Sequence, residues 1–239
     1  MKHLSILFLL ATRLVASTTV TLEQGSLWQS KNVFSIPGNT GTRLDLADHK
    51  SGPFYSGRVE VKHSFNKNHG LRVLLAPFSA EIPFRITSNL SFRGNVFSAN
   101  QILIANYMFN SYRVSYLYTF DSSSQWKFTL GLTAKLRHAN IKVSDGVTSL
   151  EDPGVGFVPL IHFEILRIFD SGWELSLGGD ALAAPQGRAA DLLLKASLNM
   201  DERWKAYVGY RTLEGGADND NVYTFSWFHS AVLGISHSF

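Results

Sequence analysis

Between Trp126 and Arg137 the chain alternates without a break. Trp126, Phe128, Leu130, Leu132, Ala134 and Leu136 fall on one side of an extended backbone, and Lys127, Thr129, Gly131, Thr133, Lys135 and Arg137 fall on the other. A helix would scatter both sets around its circumference. A strand separates them, because successive side chains point to opposite faces. The stretch predicts a strand with one apolar and one polar face. Residues 204–212 repeat the pattern, with Trp204, Ala206, Val208 and Tyr210 opposite Lys205, Tyr207, Gly209 and Arg211. So do residues 173–183, 192–199 and the last stretch from Tyr223 to Phe239.

Breakers between the runs come in two lengths. Short ones stand at Asn66–Gly70, Asp121–Gln125, Asp170–Gly172 and Asp201–Arg203; long ones at Asp48–Pro53, about Ser79–Asn100, Val143–Gly154, Ala184–Arg188 and Glu214–Asn221. Alternating short and long connections predict an up-and-down antiparallel meander whose two ends face different surroundings. The runs count to about 10 strands, at 43–48, 54–66, 70–79, 100–120, 124–142, 155–169, 172–184, 189–200, 203–214 and 222–239; 8 or 12 strands would also fit. Within 100–120 the apolar phase slips, so a bulge is expected near Met108–Ser111. Pro159 falls inside a strand, where it removes a ladder donor.

Composition narrows the classes. Charged residues make up 17% and aromatics 13%, with 17 Phe, 8 Tyr and 5 Trp; a soluble domain typically carries about 25% charge. The absence of Cys excludes a disulfide scaffold, a Cys-ligated zinc and a Cys nucleophile. The +3 net charge is spread along the chain, so no nucleic-acid partner is expected. Neither a metal nor a cofactor is expected. Two readings remain: a barrel in a membrane, or a secreted soluble lipocalin-like binding barrel.

Three features favour the membrane. Phe65, Phe120, Trp126, Phe169, Trp173, Trp204 and Phe239 all lie on the apolar face beside the short breakers or the chain end, as an aromatic girdle at one interface would. Ionisable residues on the apolar faces, such as His63, Lys142, Arg167 and His237, stand near strand ends. The last strand alternates Leu233, Ile235, His237 and Phe239.

The beginning, Met1-Lys2-His3 followed by apolar Leu4–Ala11 and the small residues around Ala16, resembles a secretory signal peptide over residues 1–16, with Arg13 departing from the usual pattern. Together with the meander and the terminal Phe239, it resembles the bacterial outer-membrane β-barrel proteins. His237 stands where that class prefers an aromatic. The resemblance implies a bacterial outer-membrane location, outer-membrane lipid and lipopolysaccharide as surroundings, insertion by the outer-membrane assembly machinery, and a monomer. Residues 17–42, with no clear period, are then expected to form an N-terminal periplasmic segment or partial plug, and residues 43–239 the barrel.

Parity predicts a charged lumen. Arg58, Glu60, Lys62, Arg72, Arg113, Lys135, Arg137, His162, Glu164, Glu174, Asp180, Lys195 and Arg211 face inward, joined by Arg43, Asp45, Lys127, Asp191 and Lys205. Buried charges must pair, which mixed signs allow. The excess of bases would make a wetted lumen prefer anions. The expected role is therefore non-enzymatic: structural, or a small anion-preferring channel. A lipid-modifying enzyme is one alternative. His63-Ser64, His229-Ser230 and His237-Ser238 point their members to opposite faces, but His162 and Glu164 share the inner face and could couple as acid and base. A loop-based adhesin or binding protein is the other. Arg188, Arg211 and Glu214 could meet at the outer rim, and Gly215–Asn221 offers oxygens to calcium but reads first as a hairpin tip.

Overall fold

The computed structural model describes residues 16–121, 123–185 and 187–239. The signal peptide expected at 1–16 lies outside the described residues, apart from Ala16. The strands are β1 (Ser17–Ser35), β2 (Leu44–Asp45), β3 (Phe54–Ser64), β4 (His69–Ala76), β5 (Ser79–Arg85), β6 (Leu90–Phe92), β7 (Asn95–Phe97), β8 (Ile102–Asp121), β9 (Trp126–Ser144), β10 (Ser149–Ile168), β11 (Trp173–Ala184), β12 (Gly187–Asn199), β13 (Trp204–Asp218) and β14 (Tyr223–Ser238). The wall runs antiparallel in the order β1-β3-β4-β8-β9-β10-β11-β12-β13-β14, with β5 also paired to β8, and β14 pairs back onto β1 from Thr19↔Ser238 to Ser35↔Tyr223. With β4 and β5 counted as one kinked wall strand, ten strands close a barrel; β2 and the β6–β7 hairpin are additional.

The closing strand is a correction. Residues 17–42 are not a plug: Ser17–Ser35 is a wall strand, and residues 43–48 supply only the two-residue β2 and a 3-10 turn over Leu46–Asp48. The period was hidden for two reasons. Gln24 and Ser26 occupy lipid-side positions between Leu22 and Trp28, and the register shifts between Gln29 and Lys31, so that inward positions run Glu23, Leu27, Gln29 and then Asn32, Phe34. The expected bulge at Met108–Ser111 is absent. β8 keeps one register against β9 from Ile104↔Ser144 to Asp121↔Lys127. What changes along β8 is the chemistry of the inside, from Arg113 and Ser115 below to Leu103, Ala105 and Tyr107 above.

The lower end of the barrel carries the start of β1 at Ser17, the chain end at Phe239 and the short turns. At the upper end, three connections expected to be long are short: tight turns stand at 145–148 and 219–222, and β11 and β12 pair as far as Ala184↔Gly187, because β9, β10, β12 and β13 extend further than the pattern suggested. The long upper segments are 36–53 and 77–101. They fold over the mouth, and their Ile36, Leu46, Leu90, Phe92 and Phe97 build the hydrophobic core with Ile82 and Phe84 of β5 and with wall residues Phe34, Leu103, Val143, Leu213 and Phe228.

The outer surface is apolar, with Leu130, Leu132, Val155, Phe157, Leu175, Val208 and Leu233 among its exposed side chains. From Trp126 to Leu136 the lipid-side residues of β9 are aromatic or aliphatic; His138, Asn140 and Lys142 follow. Ten steps of about 3.4 Å at a tilt of about 40° give a band of about 26 Å, the height of a bilayer-spanning barrel surface. A soluble barrel would present this face to water.

The wall opens at two places above mid-height. Residues 54–58 of β3 pair only with β1 while β5 pairs only with β8. Residues 149–160 of β10 pair only with β9, because the β10–β11 ladder begins at Ile161↔Ala181. Pro159 lies on that unpaired edge, which explains how a proline is tolerated there.

Candidate functional site

Nine wall strands send polar side chains to one level of the lumen. Asp191 of β12 accepts from three guanidinium groups, those of Arg58 (β3), Arg113 (β8) and Arg211 (β13), each at 2.7 Å. Asp180 of β11 accepts from Arg72 (β4) and Arg113 at 2.7 Å and from the Thr133 hydroxyl (β9) at 3.0 Å, and lies 2.8 Å from Nδ1 of His162 (β10). Glu23 of β1 accepts from Arg211 at 2.8 Å and from the Tyr207 hydroxyl at 2.8 Å, with Arg58 at 3.6 Å. Arg113, Asp180 and Asp191 are each at most 2% exposed. Four arginines and three carboxylates thus form a plate across the lumen in which every carboxylate meets at least two bases. Bidentate guanidinium geometry suits such a plate, because one arginine can join two acids.

Below the plate lies a polar vestibule. Glu60, Lys62, Glu164 and Lys195 line it, with Lys195 3.9 Å from Glu164 and Glu60 3.9 Å from Arg72. It continues to a mouth of about 200 Å³ that includes Lys127 and Asn66. Near that mouth Glu174 accepts from Lys205 at 2.5 Å. Above the plate the lumen turns apolar. Only about 30 Å³ remains between Arg58, Arg211, Phe78, Phe109 and Phe228. To one side, a cavity of about 460 Å³ holds Lys135 and Arg137 and runs out to the unpaired edge of β10.

The predicted lumen residues therefore divide among three places: Arg58, Arg72, Arg113, His162, Asp180 and Arg211 in the plate, Glu60, Lys62, Glu164, Glu174 and Lys195 below it, and Lys135 and Arg137 in the side cavity. Glu23 was missed because its strand was not legible. Arg43 and Asp45 leave the lumen set. Arg43 stacks 3.8 Å from the Tyr223 ring centre, and Asp45 accepts from the backbone N–H groups of Asn32 and Ala47. His162 does not couple to Glu164 but sits against Asp180. Arg188 does meet Glu214, at 3.1 Å, while Arg211 turns away from both into the plate. Gly215–Asn221 ends β13 and enters a turn in which the Asn219 side chain accepts from the N–H groups of Asn221 and Val222; among the described residues no group of three His, Cys, Asp or Glu could hold a metal.

On the outer face, Phe65, Phe120, Trp126, Phe169, Trp173, Trp204 and Phe239 are exposed beside the lower turns and the chain end. Arg167 lies 4.9 Å from the Trp126 ring, and His237 stacks edge-on with Trp204 and Phe239. A second aromatic group stands at the upper rim. Trp28, Tyr55 and Trp227 are exposed there, and the Tyr210 hydroxyl lies 2.6 Å from His229 Nδ1.

No protein-family model and no curated protein sequence matches the chain. Among solved structures it is similar to the outer-membrane protease OmpT of Escherichia coli, with TM-score 0.57 and 11% identity over 93% of this chain and 97% of that one. It is also similar to the attachment invasion locus protein Ail of Yersinia pestis (TM-score 0.43, 11% identity, 94% and 99% covered). A third is the translocator domain of the autotransporter NalP of Neisseria meningitidis (0.46, 10%, 94% and 88%). The chain has the fold of a bacterial outer-membrane β-barrel.

Proposed function

We propose that this chain is an integral outer-membrane barrel with a sealed lumen, acting as a monomeric scaffold in the bilayer and neither as an open pore nor as an enzyme. The observation that carries the reading is the plate. An ion crossing the lumen would have to separate Asp180 and Asp191 from Arg113 and then pass the packed Phe78, Phe109 and Phe228. Removing one partner of a buried pair costs about 3–5 kcal/mol, so spontaneous opening is rare. The lower vestibule is lined by charged groups and ends blind at the plate.

The experiment is a planar-bilayer recording of the full chain. The expected result is no conductance above the lipid background at moderate voltage, with steps appearing in Asp191→Ala. Steady channels in the wild type would refute the sealed lumen. In that event the lumen's basic excess favours the second reading, an anion-preferring pore, and the reversal potential in a salt gradient tests it. The non-enzymatic reading rests on His162. Its Nδ1 is engaged by Asp180, and the nearby Ser115 hydroxyl is engaged by Arg72 at 2.9 Å and by Thr133 at 2.7 Å. Lipid hydrolysis or acyl transfer that is lost in His162→Ala would overturn it.

A further inference from the structure

The side cavity has an entrance, a shape and a charge. Its entrance is the wedge between β10 and β11. Above Ile161↔Ala181 the two strands no longer pair, and Gly156, Phe157, Val158 and Pro159 on one edge face Leu182 and Ala184 on the other, with Ala189 of β12 behind them. Phe157 pairs with Leu136, so this stretch of the wedge sits within the upper part of the apolar band and faces lipid, while the cavity behind it reaches up to Arg188 and Asn219 at the rim. Behind it, small residues keep the space clear. Gly215, Gly216 and Ala217 of β13 and Ala184 of β11 form one wall, and the rings of Tyr107 and Phe109 close the back. The volume of about 460 Å³ falls in the range of small-molecule sites, about 300–1,000 Å³.

The charge is the second, independent observation. Lys135 is 4% exposed, and its ammonium faces the cavity 5.0 Å from the Phe109 ring centre. Neither Lys135 nor Arg137 pairs with a carboxylate among the described residues, and Nε of Arg137 is buried without a hydrogen-bond partner. Every arginine of the plate, a few residues lower, is paired. Two unpaired bases inside an apolar cavity are costly unless an anion joins them.

We infer that this cavity binds a fatty acid, or another single-chain amphiphile ending in a carboxylate, that enters sideways from the outer leaflet through the β10–β11 wedge. The chain lies along Phe157, Val158 and Leu182, and the carboxylate is held by Lys135 and Arg137. The uncompensated bases favour the carboxylate over a neutral amphiphile of the same length, which would fill the same space without engaging them. The inference does not depend on whether the lumen conducts, because the cavity lies above and beside the plate.

The test is photo-labelling of the full chain in phosphatidylcholine nanodiscs with a diazirine-bearing dodecanoic acid, with the matching dodecanol probe in parallel and adducts mapped by mass spectrometry. The expected result is acid adducts on cavity residues such as Val158 and Ala189, displaced by unlabelled dodecanoate. Lys135→Gln combined with Arg137→Gln should cut them about tenfold, the equivalent of about 1.4 kcal/mol, and leave the alcohol adducts unchanged. Gly156→Leu tests the space separately, since a Cβ there would point at Arg137 with 3.4 Å to its nearest nitrogen; it should lower acid and alcohol adducts alike. Lys62→Gln, in the lower vestibule, should change neither. Adducts confined to the outer belt around Leu132 and Val208, equal for acid and alcohol and indifferent to these substitutions, would overturn the inference. If the double variant does not give the compact, unboiled gel band of a folded barrel, Gly156→Leu carries the test with the same two outcomes.

Discussion

Asp191→Asn is the sharpest perturbation the plate allows, because it removes one charge and almost no volume. Asp191 is 2% exposed and receives three guanidinium N–H groups at 2.7 Å. Hydrogen bonds to a charged group are worth about 1.5–3 kcal/mol and neutral ones about 0.5–1.5. Downgrading three bonds therefore costs about 3 kcal/mol. The amide must also turn its NH2 toward one of the three arginines, so at least one bond is lost outright. The plate is left with four guanidinium groups and two carboxylates, and Arg58 and Arg211, whose side chains are 12–13% exposed, recover part of the loss through water. The expected net destabilisation is about 3–4 kcal/mol.

Urea unfolding of the barrel in lipid or detergent, followed by Trp fluorescence and by the loss of the compact gel band, measures it. With a slope of about 3 kcal/mol per molar, the midpoint should fall by about 1 M or slightly more. Asp170→Asn, in an exposed lower turn, should not move it. A midpoint for Asp191→Asn within about 0.3 M of wild type would refute the account. It would mean either that the plate is hydrated throughout or that its arginines find equal partners elsewhere.

Four further outcomes follow from single contacts. Leu132→Lys places a charge at the middle of the apolar band on a side chain that is 70% exposed. In a bilayer this should destabilise by about 2–4 kcal/mol, whereas a soluble barrel would tolerate it and gain solubility, so membrane-fraction yield and unfolding midpoint separate the two. Gly234→Val should displace the Tyr207 ring, which lies 2.1 Å from where a Cβ would stand, and pull its hydroxyl off Glu23. A cost of about 1–3 kcal/mol is expected in the same assay, and an unshifted midpoint would contradict the packing described. In the lower turn, the N–H groups of Arg203 and Trp204, in that order, hold the Asp201 carboxyl below its ordinary range. A lowered folded value favours the carboxylate in the folded turn. Its contribution is therefore complete above about pH 4 and is lost as pH falls through the folded value, so the protection of the Trp204 amide, its exchange rate measured against the intrinsic rate at each pH, should fall only in acid and stay constant with pH in Asp201→Ala. Glu23→Gln should weaken the β1–β13 link through Arg211 and Tyr207 and lower the midpoint less than Asp191→Asn, because Glu23 meets fewer guanidinium groups.

Where both faces of a strand meet their expected surroundings, the sequence was readable. β9, β11 and β13 present aliphatic and aromatic residues to lipid and charged or small ones to a polar lumen, and period two reported them faithfully. Legibility failed wherever one face broke that contrast. β1 carries Gln24 and Ser26 outside and a bulge near Ser30, so it looked aperiodic, and Glu23 went with it. The upper half of β8 is apolar on its inner face because Ile82 and Phe84 of β5 and the overlying Phe92 fill the mouth. There the pattern imitated a slipped register. The strand extensions that shorten the turns at 145–148 and 219–222 run above the band, where the outer face is no longer apolar, as His138, Asn140 and Lys142 show on β9. Parity also placed the charges without pairing them. Nothing in sequence spacing distinguishes Arg113, which joins two aspartates, from Lys135, which joins none.

That difference organises the molecule. A ten-strand barrel must fill its interior, and this one does so with two incompatible materials, an ionic plate at mid-height and a hydrophobic core beneath the outer loops. The plate needs its carboxylates fully used, so no acid is left to neutralise a base placed higher up. The hydrophobic core, in turn, gives such a base no water. Lys135 and Arg137 stand where the two materials meet, and it is at that level that β10 parts from β11. An unpaired ladder edge in a membrane is expensive unless something covers it. Pro159 reduces the cost by removing one donor, but it does not fill the space behind the edge. An apolar chain with an anionic end would cover the edge with its tail and settle both charges with its head. Among simple lipid-phase solutes, only that shape answers both deficits at once.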